Sequence, residues 1–537
     1  MLSERCIKLD LHNGSQLSRL VWRGLPQGSV LSPLLYNVYT CDLEIFLNTN
    51  VNVLQYADDL LLYISDKCIQ NASKYLSSSL FKLNKWLNLN GLELSVTKST
   101  VVLFSRKRII PEFNVLYMDN PIPVKSEVKF LGVILDSKLT GVPHCNYIVT
   151  KCERNLNMIR CLTGVWWGAH SASLRLIYNA LIRSLLDYAT FVLQPCSAVA
   201  LSKLDCVQAK ALRIILGAMK SSPINAMQIE CVEPPLCLRR QFLSDRYIFK
   251  AMQFSYHPLR NKLQLLLEFT DTCSYWSHKS PPCLIKSYRI FCSIQAPMYS
   301  TYCYPTFGIK YNALITSPDV RINPDIPRNQ FEAPLFVNIL KENEFNDYHY
   351  IYSDASKHAS DGIVGVGVFH SQYNIVQKIK LPPESSVFTG ECLGLFKSVE
   401  YILLAKLKKS IIFTDSMSAL QALSRCPFKS AQIHHIILKI RTLLLTCNEK
   451  GYSVVFSWVP GHSGIPGNER ADQLANEAIS CGDMADYCNY AYDLCTLTKR
   501  SLQESWKVAW SISSQSKGKA FARIQNFIPT KPWFSRI

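Results

Sequence analysis

Four carboxylates, Asp354, Glu391, Asp415 and Asp472, each sit in a local setting suited to holding a divalent metal. Asp354 lies at the end of IYSDAS, after an apolar, strand-like run. Glu391 lies in FTGECLGLFKSVEY, which reads as an opening helix. Asp415 closes IIFTDS, again at a strand end, and Asp472 lies in GHSGIPGNERADQLANEA, just inside another helix. The chemistry such a set serves is phosphodiester hydrolysis, which needs a water activated near neutral pH and a leaving oxygen neutralised as it departs. Two divalent cations about 3.5–4 Å apart do both. Mg2+ is hard and prefers oxygen, so carboxylates are its expected ligands, with Mn2+ able to substitute. Left without a cation, the cluster repels itself by about 1–4 kcal/mol per close pair. His462 stands ten residues before Asp472, in the glycine-rich loop PGHSGIPGN. A histidine there suits proton transfer during product release. Any one of these residues alone is ordinarily a solvated surface group. Their occurrence in one order carries the inference.

Stepping outward, the block from 346 to 480 reads as βββαβααβα. The strands are Tyr348–Tyr352, Ile363–Phe369, Tyr373–Ile379, Ile411–Phe413 and Val454–Trp458. The helices are Phe388–Lys408, Met417–Leu423, Ala431–Asn448 and Glu469–Ile479. A three-strand meander followed by alternating strand and helix predicts a mixed five-stranded sheet flanked by helices. Ser353, Ser416 and Asn468 read as turn and cap formers, Asn468 as the cap of the Asp472 helix.

A second acidic feature lies in LQYADDLLLY, where Asp58 and Asp59 separate two apolar runs. The pattern predicts a β-hairpin with both carboxylates at its tip, a setting that can hold Mg2+ for nucleotidyl transfer. As a bare dipeptide, Asp-Asp is more often an exposed turn. RGLPQGSVLSPLLYNVYTCDL precedes it and VKFLGVILD follows.

The chain of 537 residues has room for about three domains, and its hydrophobic content of 48% argues against long disorder. Its formal net charge is +18, which suggests a polyanionic partner such as nucleic acid. Between Asn346 and Ser480 there are 13 Lys+Arg against 11 Asp+Glu, so only +2 of that excess lies in the candidate nuclease. The 20 cysteines form no CxxC pair, and Cys481, Cys488 and Cys495 lack a matching His/Cys cluster, which argues against zinc. SERCIKLD after Met1 has no apolar signal region, and no run of 18 apolar residues is present. The expectation is a chain with no membrane span, in a reducing, intracellular setting, nuclear or cytoplasmic.

The 346–480 block resembles a type 1 ribonuclease H domain. GHSGIPGNERAD together with TDS is specific to it. The resemblance implies cleavage of the RNA strand of an RNA–DNA hybrid, with Asp354, Glu391, Asp415 and Asp472 as ligands of two Mg2+ ions. Residue types alone leave hybrid and duplex DNA undistinguished. The first 140 residues resemble reverse transcriptase palm motifs, most like those of LINE-type (non-LTR) retrotransposons. That likeness places Pro26-Gln27-Gly28 against template and nucleotide, Lys98 near the triphosphate and Phe130-Leu131-Gly132 in the primer grip. It also makes Asp58 and Asp59 metal ligands. The family's palm starts with a further strand bearing the first metal-binding Asp, yet only 23 residues precede Gly24. Asp10 fits the hairpin leading into GLPQG instead. The expectation is an incomplete polymerase site with little or no polymerase activity.

The domain organisation expected is a multidomain chain of α/β and α+β type: a partial palm (1–140), a helical thumb or connector (141–250), an irregular linker (251–345), the ribonuclease H domain (346–480) and a tail (481–537) with one helix around Leu502–Trp510. Basic residues from Lys151 to Lys220 suit contacts to duplex phosphates. KPWF in the tail resembles sequence that follows the nuclease in insect-type elements. Two other functions fit the same residues: a non-catalytic nucleic-acid-binding remnant, or a polymerase active with an upstream fragment that supplies the missing fingers.

Overall fold

The computed structural model describes residues 5–10, 15–22, 24–108, 111–164, 166–193, 196–276, 278–294, 297–300, 305–321, 345–358, 360–429 and 433–536. They form two compact units, residues 1–147 and 148–537.

In the first unit, extended runs give four antiparallel pairs. These are β1 (Arg5–Asp10) with β2 (Gln16–Val21), β3 (Asn52–Tyr56) with β4 (Asp59–Tyr63), β5 (Leu116–Tyr117) with β6 (Asn120–Pro121), and β7 (Glu127–Phe130) with β8 (Val133–Asp136). The expected hairpin before GLPQG is β1–β2, and Asp10 lies on it. Helix Ile69–Leu89 is the unit's backbone. Leu80, Leu83, Trp86 and Leu87 recur at helical spacing and bury against Leu43, Leu47, Val115 and Ile122. Gly91, just past its end, has a left-handed φ of 61°, which glycine adopts without strain. Ile7, Leu9, Leu17 and Leu20 on β1 and β2 are more than half exposed, so that hairpin presents unburied apolar surface.

The second unit is built on a seven-stranded sheet. In chain order its strands are β9 (Asp319–Arg321), β10 (His349–Lys357), β11 (Val364–His370), β12 (Ile375–Leu381), β13 (Lys409–Thr414), β14 (Ser453–Trp458) and β15 (Asp483–Met484). In space they run β15-β12-β11-β10-β13-β14-β9. The meander β10-β11-β12 is antiparallel, and β10, β13 and β14 run parallel. The mixed sheet of five central strands is as expected. The two short edge strands are additions, of two and three residues, too brief to leave a periodic signal.

One face of the sheet packs on helices Val387–Ala405 and His435–Glu449 through Ile351, Val366, Leu395, Val399, Ile412 and Ile440. The other face packs on helix Pro466–Cys481 through Tyr352, Phe413 and Ala471. At about 25 cal/mol per Å2 of apolar surface removed from water, these contacts fix the sheet against its helices.

Residues 251–345, expected to be irregular, contain helices Leu259–Thr272 and Cys283–Ser293. Pro258 and Pro282 stand at the helix starts, where a missing N–H costs nothing. Helix Tyr311–Ile315 and β9 then join the seven-stranded sheet, held by buried Arg441. Its guanidinium donates to the carbonyls of Leu314, Thr316, Leu423 and Arg425 at 2.7–3.2 Å. The part of the linker at 322–344 lies outside the described residues. The tail helix is longer than expected, Ala491–Ser513, because its first turns bury polar residues that break the apolar period. Cys481 ends one helix and Cys495 lies in another.

Candidate active site

Strand register does the first part of the assembly. Tyr352 on β10 pairs with Phe413 on β13, and their rings stack at 5.1 Å. Asp354 and Asp415 each follow two residues later, so the period of two carries both carboxylates to the same end of adjacent strands. Asp354 lies inside β10 rather than at its end, because the strand continues to Lys357. Glu391 comes from helix Val387–Ala405. Gly390 beside it lets that helix close on the sheet: a β-carbon there would stand 2.7 Å from Val364 Cγ1 and 2.8 Å from Ala355 Cβ. The result is a cluster in which oxygens of Asp354, Glu391 and Asp415 lie within 4.8 Å of one another.

Asp472, in helix Pro466–Cys481, lines the same cleft of about 360 Å3 with His462, Asn468, Glu469 and Lys357. It stands outside the tight three-carboxylate group. Asn476 Nδ2 donates to Asp472 Oδ1 at 3.2 Å. His462 is exposed on the loop with a left-handed φ of 53°. Glu469 Oε1 accepts from Gly464 N at 3.0 Å and ties that loop to the helix.

Electrostatics mark the cluster as short of positive charge. Burial first, then the Asp415 charge and more weakly Asp472, push the Asp354 carboxyl up to about 7. The Ala355 N–H donates to Asp354 Oδ1 at 2.8 Å and opposes that rise. Burial, then Asp354 and Asp415, hold Glu391 well above the usual carboxylate range. Such a set of hard oxygen donors fits a divalent cation of the Mg2+ or Mn2+ kind.

Two capping assignments need correction. Asn468 is buried inside the helix, whose cap position is Ile465, and it faces the cleft. Ser353 is a buried mid-strand residue on β10. Ser416 does precede helix Met417–Ser424, with no side-chain cap bond. Lys357 was not foreseen. Only the full length of β10 brings it to the cleft, where its Nζ donates to Ser385 O at 2.6 Å.

In the first unit, Tyr56 pairs with Asp59, so Ala57 and Asp58 form a two-residue turn with φ 51° at Ala57. Both Asp58 and Asp59 are exposed. Among the described residues, no third His, Cys, Asp or Glu gathers with them as at Asp354. Phe130 ends β7, Leu131-Gly132 forms the turn to β8, and Lys98 closes a short 3-10 turn.

A family model for RNase H matches residues 346–480. The ribonuclease H of Francisella philomiragia is 31% identical over 137 residues, spanning 24% of this chain and 89% of that protein. The chain belongs to the RNase H family. Beside its RNase H segment, a model for reverse transcriptase (RNA-dependent DNA polymerase) matches residues 2–135. The probable RNA-directed DNA polymerase from transposon BS of Drosophila melanogaster is 30% identical over 172 residues, 30% of this chain and 18% of that protein. Its counterpart from transposon X-element of the same species is 25% identical over 219 residues, 40% of this chain and 24% of that protein. The chain thus aligns with less than a quarter of the length of either polymerase. No helix among the described residues is long and apolar enough to cross a membrane.

Proposed function

We propose that the RNase H domain cleaves the RNA strand of RNA–DNA hybrids with two Mg2+ ions, Mn2+ substituting. The observation that carries this is the convergence of Asp354, Glu391 and Asp415 oxygens within 4.8 Å in a cleft that Asp472 and His462 also line. Asp354, Glu391, Asp415 and Asp472 hold the metals. When bound, magnesium supplies charge neutralisation at the phosphate and activates water. His462, exposed on its loop, takes and returns a proton as product leaves. Lys357 and Asn468 line the cleft as polar donors for the nucleic-acid backbone. Release of labelled ribonucleotides from a hybrid duplex, abolished by EDTA and by Asp354→Asn, tests the assignment. Cleavage retained in purified Asp354→Asn would overturn it.

The chain alone does not polymerise in this proposal. Nucleotidyl transfer needs carboxylates around both metals, and Asp58 and Asp59 stand on an exposed turn. The exposed apolar surface of β1–β2 favours pairing with another polypeptide segment. Primer extension with and without an upstream polymerase fragment separates an inactive remnant from a two-part enzyme. Nucleic acid is the partner expected for the remaining basic surface.

A further inference from the structure

Asp493 lies beyond the RNase H match, which ends at residue 480, yet it is bound to the first turn of the Glu391 helix. Asp493 is 4% exposed. Ser386 Oγ donates to Asp493 Oδ1 at 2.7 Å, and Thr389 Oγ1 donates to Oδ2 at 2.5 Å. Tyr487 OH donates to the same Oδ2 at 2.9 Å. The network closes on His434. Its Nδ1 accepts from Ile436 N at 3.2 Å, so the neutral ring carries its proton on Nε2 and donates to Thr389 Oγ1 at 3.0 Å. Ser386 in turn caps the helix by accepting from Thr389 N at 3.1 Å. Every hydroxyl in the set has one acceptor, and an anion sits at a helix N-terminus, where the dipole favours it. Thr389 is two residues from Glu391.

We propose that Asp493 is a positioning residue for the metal site. It fixes the first turn of the Glu391 helix, and through that turn the reach of Glu391 toward Asp354 and Asp415. The tail helix that carries Asp493 also packs on helix Leu236–Met252 and meets Asn225, whose Nδ2 donates to Ser513 Oγ at 3.1 Å. The nuclease site is therefore braced from outside its own matched segment, by a helix shared with the preceding helical region. The proposal rests on the metal-dependent nuclease assigned above.

The test uses the whole chain and Mn2+ as the probe, with binding read by calorimetry and by electron paramagnetic resonance. Asp493→Asn presents an amide where three hydroxyls donate. It should weaken Mn2+ binding about tenfold, the low end of the loss for an outer partner of a metal site. The KM for hybrid should stay unchanged. Thr389→Val, which leaves the tail helix intact, should weaken Mn2+ binding to the same degree. The double variant should lose no more than either single one, since both break one linkage. Glu504→Gln, on an exposed part of the tail helix, is the control that should change nothing. Wild-type Mn2+ affinity in folded Asp493→Asn, or additive losses in the double variant, would overturn the proposal. If Asp493→Asn does not fold, Thr389→Val decides alone. A wild-type protein that binds Mn2+ through Asp354 but leaves hybrid intact sinks the nuclease assignment and leaves the positioning role standing. A wild-type protein that binds no Mn2+ sinks both.

Discussion

Gly367 on β11 lies directly under Ala471 of the Asp472 helix. A β-carbon at Gly367 would stand 2.4 Å from Ala471 O and 2.7 Å from Ala475 N. The helix can settle on the sheet at this depth only because the strand offers no side chain there. Gly367→Ala should therefore lift the helix and destabilise the protein by about 1–3 kcal/mol, the usual cost of overpacking. Because Asp472 rides on that helix, cleavage should fall further than the folded fraction. Urea unfolding and single-turnover cleavage of hybrid on the same preparation check this. Wild-type stability would show that the close packing is not needed.

Asp354→Asn should abolish cleavage and yet raise the thermal midpoint in EDTA. The variant keeps an acceptor for Ala355 N and removes one charge from a group whose close pairs repel by about 1–4 kcal/mol. The sign with pH follows from the raised carboxyl. A folded pKa of about 7, above the ordinary 3.8, gives wild type a metal-free stability that is full at low pH and is lost as pH rises through 7. The advantage of the variant should thus be largest above pH 7 and shrink in acid. Mg2+ should stabilise wild type and not the variant. Calorimetric scans at pH 5.5 and 8, with EDTA or Mg2+, measure all of this.

If His462 carries the proton-transfer role proposed for it, His462→Ala should slow multiple turnover more than single-turnover cleavage, since the loop that holds it is exposed. Rapid-quench and steady-state rates on one hybrid separate the two. Equal losses in both would place His462 in the chemical step instead.

His370 reports on folding rather than catalysis. It is 1% exposed, its Nδ1 pairs with Tyr401 OH at 2.9 Å, and burial, then the neighbouring His349, lower its pKa to about 4. The folded state keeps the ring neutral while the unfolded chain protonates near 6.5. Stability is therefore full above pH 6.5 and falls as pH drops toward 4, by about 2 kcal/mol at pH 5 from this group. His370→Gln should flatten that part of the urea-midpoint profile between pH 7.5 and 5. An unchanged slope would assign the loss to other groups.

By itself, the sequence determined the element order of the RNase H segment, the strands and helices that carry its four acids, and the hairpin that carries Asp58 and Asp59. It could do so because apolar period and turn chemistry act over a few residues. The order in which acids follow those elements is also local, and it was enough to suggest metal-dependent hydrolysis. Tertiary structure alone decided that Asp354, Glu391 and Asp415 meet while Asp472 stands slightly apart, since that depends on strand register and on how closely two helices approach the sheet. It alone brought Lys357 into the cleft, placed Asn468 inside the helix, and added edge strands whose two or three residues are ordered by backbone pairing. The link from Asp493 to Thr389 spans 104 residues. No window of sequence contains it, because a buried carboxylate finds its donors only after the chain has packed.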